Sequence, residues 1–259
     1  MSRVLVTGAA SGLGAALTAA LRARGDEVLA TDRVASEGVD LVLDVTSDDD
    51  WAGARDAVLR RWGGLDVLVN NAGIAGGGRV DVSTMEEWQR LVDVNLMSLV
   101  RGTRTFVPLL KEQRDGHVVN VASLAGLVHP AGMGGYNAVK AAVVAFTESL
   151  GHELADFGVR ASVVCPSYFR SNLTASLSGA DTPVAAVVGR LVRTSPFTAE
   201  DVAAATLAAL DAGVDLVLPD PAGRAAYDLK QNDRAAYDAV MRAQATSLHT
   251  ATGELEDGR

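Results

Sequence analysis

Short apolar runs alternate with longer amphipathic ones along the chain. Residues 3–8, 27–32, 40–45, 65–73, 116–123, 159–166 and 214–220 read as seven strands, most of them apolar throughout. Between them, 13–25, 47–63, 84–110, 135–157 and 198–213 carry helical periodicity, and 222–247 reads as a helical tail. The segment 47–63 opens on Ser47 and three acids and closes on Arg60, Arg61 and Gly63, as a capped helix should. Nearly all-apolar strands alternating with helices predict an α/β fold: a doubly wound parallel sheet covered on both faces. No repeat, linker or low-complexity segment divides 1–259, so one domain is expected. The least regular stretch, 167–197, is long for a connection and reads as a lid. Only six residues separate Arg33 from Asp40. A parallel crossover usually takes about a dozen, so the second strand either ends early or is followed by a short turn.

Composition narrows the function classes. The chain has 259 residues and a formal charge of −9. That balance argues against binding a nucleic-acid backbone, which needs clustered Lys and Arg. Arg60–Arg61 and Arg190/Arg193 read as solvated helix charges. The single cysteine, Cys165, makes neither an internal disulfide nor a zinc cage, and no metal site is expected. Strand pattern starts at Arg3, leaving no room for a signal peptide. No apolar run approaches the roughly 18 residues of a membrane span. A cytoplasmic protein is expected. Of 23 basic residues only Lys111, Lys140 and Lys230 are lysines, so a retained lysine is informative.

The stretch TGAASGLG (7–14) joins the first strand to the first helix. Gly8, Gly12 and Gly14 permit a tight turn and close approach of a pyrophosphate to the helix N-terminus. Asp32 ends the second strand, 18 residues beyond Gly14. A carboxylate there binds both hydroxyls of an adenosine ribose and repels a 2′-phosphate. Arg33 stands beside it as a possible phosphate holder. Because Ser11 and not a basic residue precedes Gly12, NAD is favoured over NADP.

Tyr136 and Lys140 lie four apart in GGYNAVKAAV, on one face of a helix. Ionising a tyrosine of pKa about 10 at pH 7 costs roughly 4 kcal/mol. An exposed ion pair returns only about 0.5 kcal/mol. A cation ~4 Å away in a partly dry site returns on the order of 4 kcal/mol. The couple is therefore useful only in a cleft beside a ligand, as a proton donor or acceptor. Ser123 ends a strand 13 residues upstream, on the sheet edge where ligands sit.

TGAASGLG, Asp32, Asp44–Val45, NNAG at 70–73, Asn95, Ser123 and YNAVK occur in an order that resembles the short-chain dehydrogenase/reductase family, over nearly the whole chain. The resemblance implies a Rossmann-type sheet and hydride transfer between a nicotinamide and a secondary alcohol or ketone. It implies Tyr136 as acid/base and Ser123 as anchor of the substrate oxygen. Lys140 would hold the nicotinamide ribose and lower the pKa of Tyr136, and Asn95 would anchor a water in a relay to Lys140. Gly8, Ser11, Gly12, Leu13 and Gly14 would cradle the cofactor, with Asp32 and Arg33 at its ribose. Asp44 and Val45 would flank the adenine, Asn71, Ala72 and Gly73 the adenosine side, and Pro166, Phe169 and Ser171 the nicotinamide. The chain departs from the family in three places: Ser167 where Gly usually follows the proline, Ser171 where Thr is usual, and the short second connection. The family commonly pairs subunits through the helices here at 84–110 and 135–157, so a homo-oligomer, dimer or tetramer, is expected. The alternatives are an NADP-dependent ketone or 3-oxoacyl reductase, a nucleotide-sensing protein without turnover, and another Rossmann-like enzyme such as a methyltransferase.

His129 reads as a loop histidine rather than a catalytic one, because the tyrosine already fills the acid/base role. Cys165 reads as buried and inert. Tyr168, Phe169, Leu173 and Leu177 make either a lid packed on its own domain or an apolar substrate wall. Tyr227 and Lys230 read as surface or interface packing.

Overall fold

The computed structural model describes residues 1–172 and 179–253. A seven-stranded parallel sheet runs in the order β3-β2-β1-β4-β5-β6-β7. Its strands are β1 Arg3–Thr7, β2 Glu27–Asp32, β3 Leu41–Val42, β4 Val67–Asn70, β5 Gly116–Val121, β6 Val159–Val164 and β7 Leu216–Val217. The α-helices are α1 Gly12–Ala23, α2 Asp48–Trp62, α3 Met85–Val92, α4 Ser98–Gln113, α5 Ala125–Val128, α6 Gly134–Leu154, α7 Thr182–Thr194, α8 Ala199–Asp211, α9 Pro221–Asn232 and α10 Arg234–Ala251.

Alternation along the strands sends side chains to opposite faces. Val4 and Val6 pack with Leu13, Leu17 and Leu21 of α1 and with Val202 and Ala203 of α8. Leu5, between them, packs on the other face with Trp51 of α2, Phe106 of α4 and Leu154 of α6. A buried amide chain ties that second layer to the sheet. Asn70 Nδ2 donates to Asn120 Oδ1 at 2.9 Å, and Asn120 Nδ2 donates to Thr147 Oγ1 of α6 at 3.0 Å.

Several expected elements differ. The third strand is two residues, not 40–45, and pairs only with Thr31 and Asp32. Its connection therefore never has to travel back along the sheet, which is why so short a link suffices. Asp40 braces the link by accepting from Ala30 N at 2.8 Å and from Arg22 at 2.7 Å. The seventh strand is likewise only Leu216–Val217, against 214–220 expected. The expected helix 84–110 is broken by a π-helical turn at Asp93–Met97. The tail is two helices, split at Asp233, whose carboxylate caps α10 through Ala236 N at 2.9 Å. The stretch 167–197 holds a helix after all, α7, capped by Asp181 with Pro183 in its first turn. Its valines 184, 188 and 192 are buried.

An ion pair fixes the start of α7. Arg79 Nε lies 2.7 Å from Asp181 Oδ2 and Arg79 Nη2 lies 2.8 Å from Asp181 Oδ1, and the Asp181 side chain is 0% exposed. The guanidinium hydrogen bonds hold Asp181 below the usual carboxylate range. Arg79→Met leaves that carboxylate unpaired and is expected to cost about 2 kcal/mol, less than a fully enclosed pair because the arginine is partly exposed. The pair's contribution is full above about pH 4, where the unfolded-state carboxylate ionises, and fades as pH falls through the depressed native value. A urea series should show a lower midpoint for the variant at pH 7 and a gap that closes in acid.

Candidate active site

The order of strands reverses between β1 and β4, and ligands bind at such a switch point. Gly8 and Gly12 there have φ of +67° and +56°, a left-handed backbone that suits glycine. A Cβ on Gly14 would stand 2.1 Å from Gly8 O, and one on Gly8 would stand 2.8 Å from Ala72 Cα. The turn thus lies directly against the segment after β4. Thr7 Oγ1 joins the two, accepting from Asn71 N and Ala72 N at 3.0 Å each. Asn71 Nδ2 donates to Thr7 O at 2.8 Å. Ser11 caps α1 in an extended conformation without a side-chain hydrogen bond to the helix. Leu13 turns into the core, and Ser171 Cβ would lie 3.6 Å from a Cβ on Gly12. Thr7 was not singled out from the sequence, although it leads the glycine motif.

Asp32 sits at the C-terminal end of β2, where its carboxylate accepts from Ala10 N at 3.1 Å and from Val34 N at 3.3 Å. The Asp44 carboxylate accepts from Thr46 Oγ1 at 2.7 Å and Thr46 N at 2.9 Å. Those bonds hold its pKa down, with a smaller contribution from the charge of Arg33. Val45 O accepts from Trp51 Nε1 at 3.0 Å, which fixes that turn against α2.

Ser123, Tyr136, Lys140 and Asn95 converge where β5 ends. Ser123 Oγ accepts from Ala125 N at 3.2 Å. Tyr136 is 8% exposed. Burial pushes its phenol up to about 12, against a hydrogen bond with Ser123 that pulls it down. Lys140 is 5% exposed, and burial brings its ammonium down to about 8. Its Nζ donates to Val121 O at 3.0 Å and lies 5.8 Å from the Tyr136 ring centre. The expected lowering of Tyr136 by Lys140 is therefore not present in the protein alone. The ammonium is pinned to the strand end, and desolvation of the phenol dominates.

The π-helical turn explains Asn95. The extra residue in that turn swings its side chain inward, to 1% exposure, as π-bulges at functional sites often do. Asn95 Oδ1 accepts from Ile74 N at 3.0 Å. Asn95 Nδ2 is buried and has no partner among the described residues. A Cβ on Gly73 would stand 2.7 Å from Asn95 Oδ1 and 3.8 Å from Lys140 Nζ, so the missing side chain keeps this corner open. Orphaned amide, glycine cradle and paired carboxylate together fit a dinucleotide cofactor.

Tyr168 and Phe169 part ways. The Tyr168 hydroxyl reaches Met133 Sδ at 3.5 Å on the side of Tyr136. Phe169 packs on the core layer around Leu13 and α8. Leu173 and Leu177 lie outside the described residues. A pocket beside Tyr136 is walled by Ile74, Trp88, Leu91, Met133 and Gly135. Trp88 was not recognised in the sequence, where it sits in an ordinary helical pattern. Pro166 O accepts from Leu124 N at 2.9 Å. Cys165 is buried with its thiol pushed up to about 12, in keeping with an inert residue. Lys230 is not merely a surface group: its Nζ lies 2.9 Å from His129 Nδ1.

The family model for short chain dehydrogenase matches residues 2–181. A 3-alpha-(or 20-beta)-hydroxysteroid dehydrogenase of Mycobacterium tuberculosis is 36% identical over 181 residues, spanning 66% of this chain and 70% of that protein. A short-chain dehydrogenase/reductase of Burkholderia phymatum, solved with NAD, superposes with a TM-score of 0.83 at 29% identity, covering 90% of this chain and 94% of that one. A short-chain dehydrogenase of Burkholderia cenocepacia, solved with NADP, superposes with a TM-score of 0.79 at 28% identity, covering 93% and 97%.

A lysine whose pKa is depressed by burial opposes folding. The penalty is full below its native value of about 8 and is gone above its unfolded value of 10.5. Replacing Lys140 with Met should therefore raise stability at pH 7, by on the order of 3 kcal/mol. The gain should shrink as pH rises from 8 to 10.5. Urea midpoints across that range check it.

Proposed function

Since the chain belongs to the short-chain dehydrogenase family and is an oxidoreductase of that class, we propose that it moves a hydride between NAD(H) and a secondary alcohol or ketone, with Tyr136 as acid/base. The observation that carries this reading is the buried corner at the end of β5, where Lys140 Nζ is held on Val121 O two residues before Ser123, 5.8 Å from the ring of the buried Tyr136.

A bound nicotinamide supplies the hydride to the carbonyl carbon, or takes it from the carbinol carbon. Ser123 Oγ holds the substrate oxygen beside the phenol. In reduction Tyr136 gives its proton to that oxygen, leaving a phenolate; in oxidation the phenolate takes the hydroxyl proton. The protonated phenol favoured by burial is the form that reduction requires. Lys140 holds the ribose hydroxyls, and its ammonium favours the phenolate once directed toward it. Asn95, with a buried unused amide, holds a water on the proton route from Lys140.

Gly8, Gly12 and Gly14 admit the pyrophosphate at the start of α1. Asp32 supports NAD over NADP: its carboxylate, at the end of β2 and bonded to Ala10 N of the glycine turn, would meet an adenosine ribose there and repel a 2′-phosphate. The pocket beside Tyr136 has an apolar wall of Ile74, Trp88, Leu91 and Met133, which suits an apolar part of the substrate, and also carries Ser83, Glu87 and Arg90. The single buried cysteine suits the cytoplasm, and segments 84–110 and 135–157 are the surfaces through which we expect copies to pair.

Tyr136→Phe should lower turnover about 1,000-fold on a panel of cyclic and linear secondary alcohols and their ketones. NADH should still titrate the variant by fluorescence and bind more tightly than NADPH. Intact turnover in Tyr136→Phe would refute the mechanism, and tighter NADPH binding would refute the cofactor choice.

A further inference from the structure

We infer that Lys230 and Tyr237, on the two tail helices, are positioning residues for Ser123, acting through α5. The inference rests on the proposed role of Ser123 as holder of the substrate oxygen.

Ser123 leads directly into α5. Its Oγ accepts from Ala125 N at 3.2 Å and its main-chain oxygen from Gly126 N at 3.0 Å. Yet α5 is only four residues long. A single turn does not hold itself, and the last carbonyls of any helix lack intrahelical partners. Here three consecutive carbonyls each meet a side chain. Gly126 O lies 3.1 Å from His129 Nε2. Leu127 O accepts from Lys230 Nζ, and Val128 O accepts from the Tyr237 hydroxyl.

His129 completes the arrangement. Its backbone is left-handed, with φ of +47°, which ends the turn. With Nε2–H donating to Gly126 O, its Nδ1 is the acceptor for Lys230 Nζ at 2.9 Å. Beyond it, Pro130 O accepts from Asn137 Nδ2 at 2.7 Å, and Asn137 adjoins Tyr136. The chain between Ser123 and Tyr136 is thus held at its α5 end by the tail and at its α6 end by the helix that carries the phenol.

Tail attachment alone does not require these donors. Ala226, Tyr227, Leu229 and Met241 already pack against the apolar cluster of Leu127, Val128, Val143 and Leu218. Lys230 and Tyr237 spend their polar ends on the carbonyls of α5 instead, and Tyr237 is 5% exposed in doing so.

The test uses the full chain carrying Lys230→Met together with Tyr237→Phe. By hydrogen–deuterium exchange, the amides of Gly126 to His129 should exchange about tenfold faster, while those of Val118 and Val119 stay as in the wild type. On the alcohol of the panel that the wild type oxidises fastest, kcat should fall about tenfold with NADH affinity unchanged. Lys230→Arg, which keeps a donor, should retain most of kcat. Unchanged exchange at 126–129 overturns the inference. So does a loss spread over the sheet with NADH affinity falling in step, which marks a general fold defect. Ser123→Ala separates the two readings: if it turns over normally, the proposed function fails. If it is inactive while the double variant matches wild type in exchange and kcat, only the positioning role fails.

Discussion

A lysine ammonium at the inner end of a parallel sheet is the constraint around which this protein is arranged. Lys140 Nζ is 5% exposed and has one hydrogen bond among the described residues, to Val121 O. Holding it there costs stability, so its surroundings must be rigid. The buried chain Asn70–Asn120–Thr147 locks α6 to β4 and β5 a few residues away. A glycine at 73 and a π-helical turn at Asn95 leave a polar corner in front of it. Stability is given up at this corner, as functional sites commonly require.

Two further devices close the site from outside. The Arg79–Asp181 pair and Glu87, which accepts from Ala180 N at 2.7 Å, fix the beginning of α7 against the chain after β4. Val184 and Val188 of that helix then pack beside Met133 and Tyr136. The tail reaches the same region from the other side, with Leu248 against the same cluster. Helix α7 and the tail, far apart in sequence, share one apolar lining.

Much of this was legible in the sequence. Apolar strands and capped helices gave the doubly wound sheet, and glycine spacing located the turn after β1. The Tyr–Lys spacing placed both side chains on one face of α6. What escaped had weak local signals. A helix with a π-helical turn has nearly the periodicity of an unbroken one, so 84–110 read as continuous. Helix α7 carried its Asp181 cap and Pro183, but glycine, serine and threonine around it suggested an irregular loop. Lys230 looked like a surface group because its partners, Leu127 O and His129, lie about a hundred residues away. The depth at which the Tyr136 phenol is buried in the protein alone was not legible either: the sequence shows a neighbouring cation but not the burial that pushes the phenol up.

The protonation state of Tyr136 decides whether the site can move a proton in the proposed mechanism. Burial holds the Tyr136 phenol at about 12 in the protein alone, while Lys140 is turned to Val121 O. In the proposed mechanism, proton transfer by Tyr136 near neutral pH requires cofactor binding to redirect the ammonium and bring the phenol down. An ultraviolet difference titration of phenolate formation, wild type against Tyr136→Phe, measures this with and without saturating NAD. A Tyr136 pKa near 12 is expected for the protein alone, and a clearly lower one with NAD bound. The same pKa in both states would contradict that mechanism.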